Sequence, residues 1–373
     1  MISQEYRPQT LEKIIGHDKI VQEVKTRFEN DNWPQVSYFT GLSGGGKTTF
    51  ALNIAKIIQC TNKVDKHTPC NSCEQCNDIN KESFSLGTYM FNSSNLDTEA
   101  MRDIEELTTT TSWISNKIVI ILDELQELNS NKKAQKNLLK ALEKVNKEVY
   151  FILLSMDDSK VDKAIKSRSI TFKLYSVDPM IIGEYLYNIC VDKGLEIDEN
   201  KSDILITVAQ NSGGSVRQGC SYLERVISGN LWNQEELIKA LHFVNNVAIN
   251  NICLHLIDSN PELFDIEITE ETIDKVKTNL IRLSKHQVGA KLSPYEKSQL
   301  EGLIGYKNAT IERLLFIIET LNELFRFPYV NKEIIDSTLI KLFMQKKEKT
   351  IFKESLPEVI PQEEPKRRRG IVV

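Results

Sequence analysis

The chain has 373 residues, 40% of them hydrophobic, and a formal net charge of −5, with a mean hydropathy of −0.31. That length carries two or three domains with buried cores, and the charge excludes a globally basic nucleic-acid binder, so any DNA contact must come from local positive patches or helix N-termini. No apolar run approaches the roughly 18 residues that a membrane span needs, the opening Met-Ile-Ser-Gln-Glu-Tyr-Arg-Pro lacks the apolar stretch of a signal peptide, and a cytoplasmic protein without a membrane partner is expected.

In chain order, Val36 to Thr40 reads as a strand, and Thr48 to Gln59 as a helix with Ala51, Leu52, Ile54, Ala55 and Ile58 at helical spacing. Lys117 to Leu122 and Val149 to Leu154 are continuous apolar strands on either side of an amphipathic helix from Lys133 to Lys144, with Leu138, Leu139 and Leu142 inward. Continuous β-branched strands separated by helices predict a parallel sheet covered on both faces, an α/β nucleotide-binding domain over residues 1–176. The strands then stop. Pro179 to Lys193, Lys201 to Gln210 and Val216 to Ser228 read as helices of a small all-α domain over 177–236. A second helical block spans 237–348 and includes helices at Ala309 to Phe325 and Lys332 to Phe343. Residues 349–373 carry Pro357, Pro361 and Pro365 before Lys366-Arg367-Arg368-Arg369, a composition that predicts a flexible, basic-ended tail.

Gly41-Leu42-Ser43-Gly44-Gly45-Gly46-Lys47-Thr48-Thr49 is a complete P-loop pattern, placed between a predicted strand and a predicted helix. Glycines let the backbone wrap closely enough for its N–H groups to face phosphate oxygens, and the helix N-terminus adds favourable partial charge. Lys47 would neutralise the β- and γ-phosphates of ATP, and the Thr48 hydroxyl would hold Mg²⁺. Asp123-Glu124 closes the strand Ile118 to Leu122, at the sheet edge where nucleotides bind in open α/β sheets. Asp123 would orient Mg²⁺ and Glu124 would polarise the attacking water. Without the P-loop, an ordinary acidic turn would be the better reading of that pair.

Four of the seven cysteines, Cys60, Cys70, Cys73 and Cys76, are spaced C-x9-C-x2-C-x2-C. Four thiolates with two-residue gaps suit a closed tetrahedral Zn²⁺ site of structural type, a module over 60–76. Reduced free thiols and an iron–sulfur cluster are the alternatives. Cys190, Cys220 and Cys253 stand alone in helical segments and read as core residues.

The motifs, in this order, resemble the gamma/tau family of bacterial DNA polymerase III subunits, the AAA+ motors of the clamp loader. The resemblance covers roughly residues 4 to 345. It rests on Tyr6-Arg7-Pro8 with Ile15-Gly16-His17, a segment that lies beside the adenine in the family, and on the P-loop followed by the four-cysteine insertion. Further on come Ala134-Gln135-Lys136-Asn137-Leu138-Leu139-Lys140-Ala141-Leu142-Glu143, the sensor-1-like Phe151 to Ser155-Met156, Ser167-Arg168-Ser169, and Gly214-Ser215-Val216-Arg217. The resemblance implies an AAA+ parallel-sheet domain with a zinc-binding insertion, an all-α lid and an all-α collar that oligomerises. Its nucleotide site would be Tyr6, Arg7, Gly41, Gly44, Gly45, Gly46, Lys47, Thr48, Thr49, Ser155 and Arg217, and Arg168 would reach in trans to the γ-phosphate held by a neighbouring subunit. The implied partners are other clamp-loader subunits in a pentameric ring or spiral, a sliding clamp and primer–template DNA.

Several positions depart from the family. Met156 stands at the sensor-1 threonine or asparagine, Gln126 at a histidine, Asn92 at an aspartate, and Glu143-Lys144-Val145-Asn146 at Glu-Glu-Pro-Pro. The chain reads as a divergent member, its abundant Lys, Asn and Ile fitting an AT-rich genome such as that of a bacterial virus, and no long tau-like extension is expected. Methionine hydrogen-bonds a catalytic water poorly, so a nucleotide-binding but non-hydrolysing scaffold of the same machine is the alternative. A branch-migration motor fits less well with the cysteine module and Ser167-Arg168-Ser169. Thr108 to Ser112, Lys132, Lys133 and Lys136 are candidate DNA contacts, and the tail from Lys366 could touch DNA or the replicative polymerase. A solvated polar face is at least as good a reading of each.

Overall fold

The computed structural model describes residues 1–81, 87–96, 98–109, 117–241, 243, 246–266, 268–292, 296–297, 299–325 and 331–354. Thr110 to Ser112 of the candidate DNA contacts, and the tail from Pro357 through Lys366 to Val373, lie outside the described residues. The chain forms two compact units, Met1–Phe243 and Val244–Val373. Among the described residues no helix is long and apolar enough to cross a membrane.

The first unit is built on five parallel strands, β1 (Val36–Thr40), β2 (Thr88–Asn92), β3 (Ile118–Asp123), β4 (Val149–Ser155) and β5 (Ile170–Lys173), in the order β2-β3-β4-β1-β5. All five residues of β1 are buried, as expected of a central parallel strand covered on both faces. One face is covered by α2 (Asp18–Glu29) and α3 (Lys47–Gln59), where Phe50, Ile54 and Ile57 meet Phe39, Ile121 and Ile152. The rings of Phe28, Trp33, Phe172, Phe39 and Phe50 stack in series through this layer. The other face is covered by α5 (Thr98–Thr109) and α6 (Lys132–Glu143), where Met101, Ile104 and Leu138 meet Tyr38, Ile120 and Phe151. α4 (Glu74–Asn80) follows the cysteine loop, and the short α7 (Lys163–Lys166) precedes β5.

The sheet sets the site. Thr40 pairs with Ser155, and Leu122 with Leu153. The chain therefore leaves β1, β3 and β4 at one carboxyl edge, the edge where open α/β sheets bind ligands.

The helices α8 (Pro179–Asp192), α9 (Glu199–Asn211) and α10 (Val216–Gly229) begin at Asp178, Asp198 and Ser215, whose side chains accept from the N–H groups of Met180, Lys201 and Gln218. Such caps satisfy otherwise orphaned donors, and Pro179 fits the first helical position, where no donor is needed. Their apolar faces enclose Ile182, Leu186, Leu205, Leu223, Cys190 and Cys220, and Ile2 of the N-terminal turn α1 (Ile2–Glu5) joins them. Leu237 and Leu241 of α11 (Gln234–Leu241), and then Phe243, pack into this same core. The lid core thus runs past the boundary expected at 236, because the apolar stripe of α11 faces α8–α10.

The second unit contains α12 (Asn246–Asp258), α13 (Glu270–Gln287), α14 (Ile311–Leu324) and α15 (Lys332–Glu354) around a core that includes Cys253, Leu256, Leu280, Ile317, Leu321 and Leu342. The backbone of α15 continues to Glu354, into the segment expected to open the tail at 349. Two buried amides are set in this core. Asn279 Nδ2 donates to Asn250 Oδ1 at 3.0 Å and to Gln299 O at 3.2 Å, and Asn250 Nδ2 donates to the carbonyls of Gln299 and Glu301, each at 3.0 Å. Arg313 lays its guanidinium on the last carbonyls of α12, at Leu256 and Ile257, where the helix dipole favours a cation. Asn279→Ala removes the donor to the buried Asn250 Oδ1 and to the half-buried Gln299 O. It is expected to destabilise the unit by about 1–3 kcal/mol, read as a lower midpoint in denaturant unfolding of the full chain. An unchanged midpoint would mean that water replaces the amide.

Candidate nucleotide-binding site

β1 runs into the P-loop, and α3 begins at Lys47 directly after Gly46, whose φ of 101° lies in the left-handed region that glycine alone adopts easily. Lys47 is buried, and its Nζ donates to the carbonyls of Gly41 at 2.8 Å and Leu42 at 2.9 Å. Burial lowers its pKa, a shift that Asp123 and Glu124 oppose. His17, buried at the start of α2, donates from Nε2 to Gly45 O at 3.0 Å, so the segment before α2 braces the loop.

The loop and the lid approach closely. A Cβ on Gly44 would lie 2.2 Å from Ser215 Oγ and 2.9 Å from the Cβ of Arg217. Gly44 is thus what lets the first turn of α10 bring Arg217 beside the loop. The N-terminal segment is fastened from below by two polar residues of α3. Asn53 donates to Pro8 O at 2.9 Å, and the fully buried Lys56 donates to Gln9 O at 2.6 Å and Gln9 Oε1 at 2.9 Å.

Asp123 is the last residue of β3, and Glu124 turns the chain out of the strand with φ 54° and ψ 43°, a left-handed conformation that is uncommon outside glycine. Burial raises the Asp123 carboxyl above its usual range, while Lys47 and Arg217 pull it back. A divalent cation shared with the Thr48 hydroxyl would stabilise that charge further, so the residues present fit Mg²⁺.

One open pocket of about 880 Å³ gathers these groups, with Arg7, Lys47, Thr48, Asp123, Glu124 and Arg217 in its wall and Tyr185 and Cys220 of the lid opposite the P-loop. Gly44, Gly45, Gly46 and Thr49 also line the pocket. Gly41 packs against Leu174 at the base of the loop. Tyr6 stands outside the wall: its hydroxyl donates to Asp192 at 2.6 Å, which pushes its pKa up to about 12, and its carbonyl accepts from Tyr185. Ser155 is fully buried beneath the pocket, whereas Met156 lies in the wall, 42% exposed. Asn92 caps the turn after β2 by accepting from Ser94.

Arg168 does not reach this pocket. It follows α7, half-exposed, donating to Ala164 O at 2.9 Å and pairing with Glu143. Lys132, Lys133 and Lys136 are exposed on α6.

The four cysteines of the insertion converge. Cys60 ends α3, Cys73 caps α4, and the sulfurs of Cys60, Cys70, Cys73 and Cys76 all lie within 4.8 Å of one another. Backbone N–H groups point at them: Cys70 N donates to Cys60 Sγ at 3.3 Å, and Cys73 N to Cys70 Sγ at 3.3 Å. Hydrogen bonds from Ser72 lead in lowering the Cys70 thiol to about 6. Convergent sulfurs with N–H donors are the donor set that Zn²⁺ takes. Lys56 reaches the same loop, donating to Asn71 Oδ1 at 2.9 Å.

Asn53 and Lys56 take part in this site without having been singled out for it, and His17 and Gln126 were marked only by their place in the resemblance. Buried polar residues look like solvated ones in a sequence, and only the helix face of Asn53 and Lys56, among Ile54, Ala55 and Ile57, gave a signal.

A strand, a glycine loop on a helix N-terminus, an acidic pair on a nearby strand of the same sheet and a helical lid define a P-loop nucleotide-binding protein. Residues 16–178 match the family model described as DNA polymerase III, delta subunit. By sequence the chain is a divergent relative of the DNA polymerase III gamma/tau subunits. It is 32% identical over 223 residues to that of Mycoplasma genitalium, covering 60% of this chain and 36% of that protein. To the gamma subunit of Buchnera aphidicola from Acyrthosiphon pisum it is 27% identical over 286 residues, 76% of this chain and 74% of that one. It therefore spans only about a third of the length of the Mycoplasma protein. The Thermotoga maritima RuvB Holliday junction branch migration motor is similar at 15% identity and a TM-score of 0.47, over 89% of this chain and 97% of that chain, too distant a likeness to assign function.

Proposed function

We propose that this chain is an ATP-hydrolysing motor subunit of a DNA sliding-clamp loader, binding ATP at subunit interfaces and loading the clamp onto primer–template DNA. The observation that supports it most is the single pocket holding Lys47, Thr48, Asp123, Glu124 and Arg217, in a chain whose relatives are gamma/tau subunits. Lys47 and the loop N–H groups hold the phosphates, and Thr48 and Asp123 hold Mg²⁺, which when bound offsets charge on the phosphates. Glu124 takes a proton from the attacking water. Arg217, on the lid, links γ-phosphate occupancy to lid position, and Arg168 serves the site of a neighbouring subunit. Cys60, Cys70, Cys73 and Cys76 hold a structural Zn²⁺. The helical second unit assembles with like and unlike subunits.

A second reading, a nucleotide-binding scaffold that does not hydrolyse, is favoured by one observation: the pocket wall carries Met156 where a polar group would orient water. Phosphate release, measured with partner subunits, primed DNA and a sliding clamp, separates the two. DNA and clamp are expected to stimulate turnover, and Glu124→Gln to lower it by about 10²- to 10⁴-fold with ATP still bound. Bound ATP without turnover in every combination leaves the scaffold.

A further inference from the structure

Ser155 ends β4 and Met156 follows it into the pocket wall that also holds Glu124, yet neither offers the pocket a polar side chain. Met156 presents a thioether, which cannot donate a hydrogen bond. Ser155 has no exposed surface, and its hydroxyl is already engaged, with Gln126 Oε1 at 2.8 Å as the nearer of two acceptors, Asp157 O at 3.1 Å as the other, and Asp157 N donating to it at 3.2 Å. What connects the end of β4 to the pocket is Gln126, 5% exposed, in the turn Leu125–Ser130 that follows Glu124.

The orientation of the Gln126 amide is fixed by its surroundings. The Met156 N–H lies 3.1 Å from one end of the amide, and a backbone N–H can only donate. That end is therefore the oxygen, which accepts from both Met156 N and Ser155 Oγ. The opposite end is then the NH₂ group, and it donates to Glu124 Oε2. The amide forms a rigid strut from the main chain of β4 to one oxygen of the carboxylate. Glu124 sits in a left-handed turn at the pocket wall, and the part-buried amide-to-carboxylate hydrogen bond restricts the freedom of its side chain.

We propose that Gln126 is the positioning residue for Glu124, taking through the main chain of Met156 and the hydroxyl of Ser155 the role that a polar side chain at position 156 would otherwise have. Turnover in this chain depends on the strut and tolerates Met156 because of it. The inference rests on the reading of the chain as an ATPase.

The test is a double-mutant cycle on the full chain assembled with its partner subunits, with turnover and nucleotide affinity measured side by side. Gln126→Met keeps length and volume and removes the strut, and is expected to lower kcat by about ten- to a hundredfold with nucleotide affinity unchanged. Gln126→His, with a donor and an acceptor nitrogen on opposite sides of its ring, is expected to recover most of that loss. In a Glu124→Gln background, Gln126→Met is expected to cost nothing further, because it acts through the carboxylate. Should Gln126→Met fail to bind nucleotide, Gln126→Asn, one methylene too short to span the gap, carries the same expectation. Full kcat in Gln126→Met, or an equal loss in the Glu124→Gln background, overturns the inference while leaving the ATPase reading intact. No turnover in the wild-type assembly overturns both.

Discussion

Arg168→Ala is expected to cut ATP turnover of the assembled protein by about 10³- to 10⁵-fold, the range an arginine finger supplies, while nucleotide binding survives. Arg168 is absent from the wall of its own chain's pocket and is held, half-exposed, by Ala164 O and Glu143. An exposed ion pair of that kind contributes about 0–1 kcal/mol, so the guanidinium leaves Glu143 readily for the denser charge of a phosphate. Its planar fork matches phosphate oxygens in pairs, which makes Arg168→Lys a poor replacement. The decisive measurement is complementation. Lys47→Ala and Arg168→Ala chains, each inactive alone, are mixed with the partner subunits. If Arg168 works in trans, interfaces that pair an intact Lys47 from one chain with an intact Arg168 from the other regain turnover. If the mixture stays silent while wild type turns over, Arg168 acts within its own chain or not at all.

The parts of the molecule legible in the sequence are those whose physics is local. β1 is a run of five buried residues, and the glycines and lysine that follow announce both the turn and its ligand. The helices α8 to α10 are marked by their caps and start within two residues of where their periodicity places them. What stayed hidden depends on distant parts of the chain meeting. Gln126 reads only as a departure from the family's histidine until β4 is placed beside it, and only then do both ends of its amide have partners. Lys56 reads as a solvated lysine, yet it is buried between Gln9 and Asn71, residues far from it on either side in sequence. Arg217 is legible only through the resemblance of Gly214-Ser215-Val216-Arg217 to the family's segment. Its place follows from Gly44, where any side chain would collide with Ser215 and Arg217. The lid boundary moved for a similar reason: α11 is amphipathic, and an apolar stripe does not say which core it joins.

The cysteine module yields the other large effect. Purified under reducing conditions, the chain is expected to carry one tightly held zinc, and Cys73→Ser to lose it. Four sulfurs within 4.8 Å of one another are crowded without a shared cation, and zinc-finger peptides gain roughly 10–16 kcal/mol from such a site. Here the sheet already holds α3 in place, so the loss is smaller, on the order of 5 kcal/mol, or about 10–20 °C in the melting temperature of a unit of this size. The damage has a defined route. Asn71, in a left-handed turn between two of the cysteines, is one of the acceptors of the buried Lys56, whose others belong to Gln9. Losing the turn strips an acceptor from a buried ammonium, which is costly, and loosens the Arg7-Pro8 wall of the pocket along with α3. Cys73→Ser is therefore expected to weaken ATP binding as well as stability, although none of the four clustered cysteines lines the pocket. Zinc released by a chelator and counted per chain checks the first point, and calorimetry with ATP the second. A wild-type protein free of metal that melts like Cys73→Ser would return the cluster to four free thiols. Lost zinc with unchanged ATP affinity would mean that Lys56 keeps the pocket wall in place through Gln9 alone.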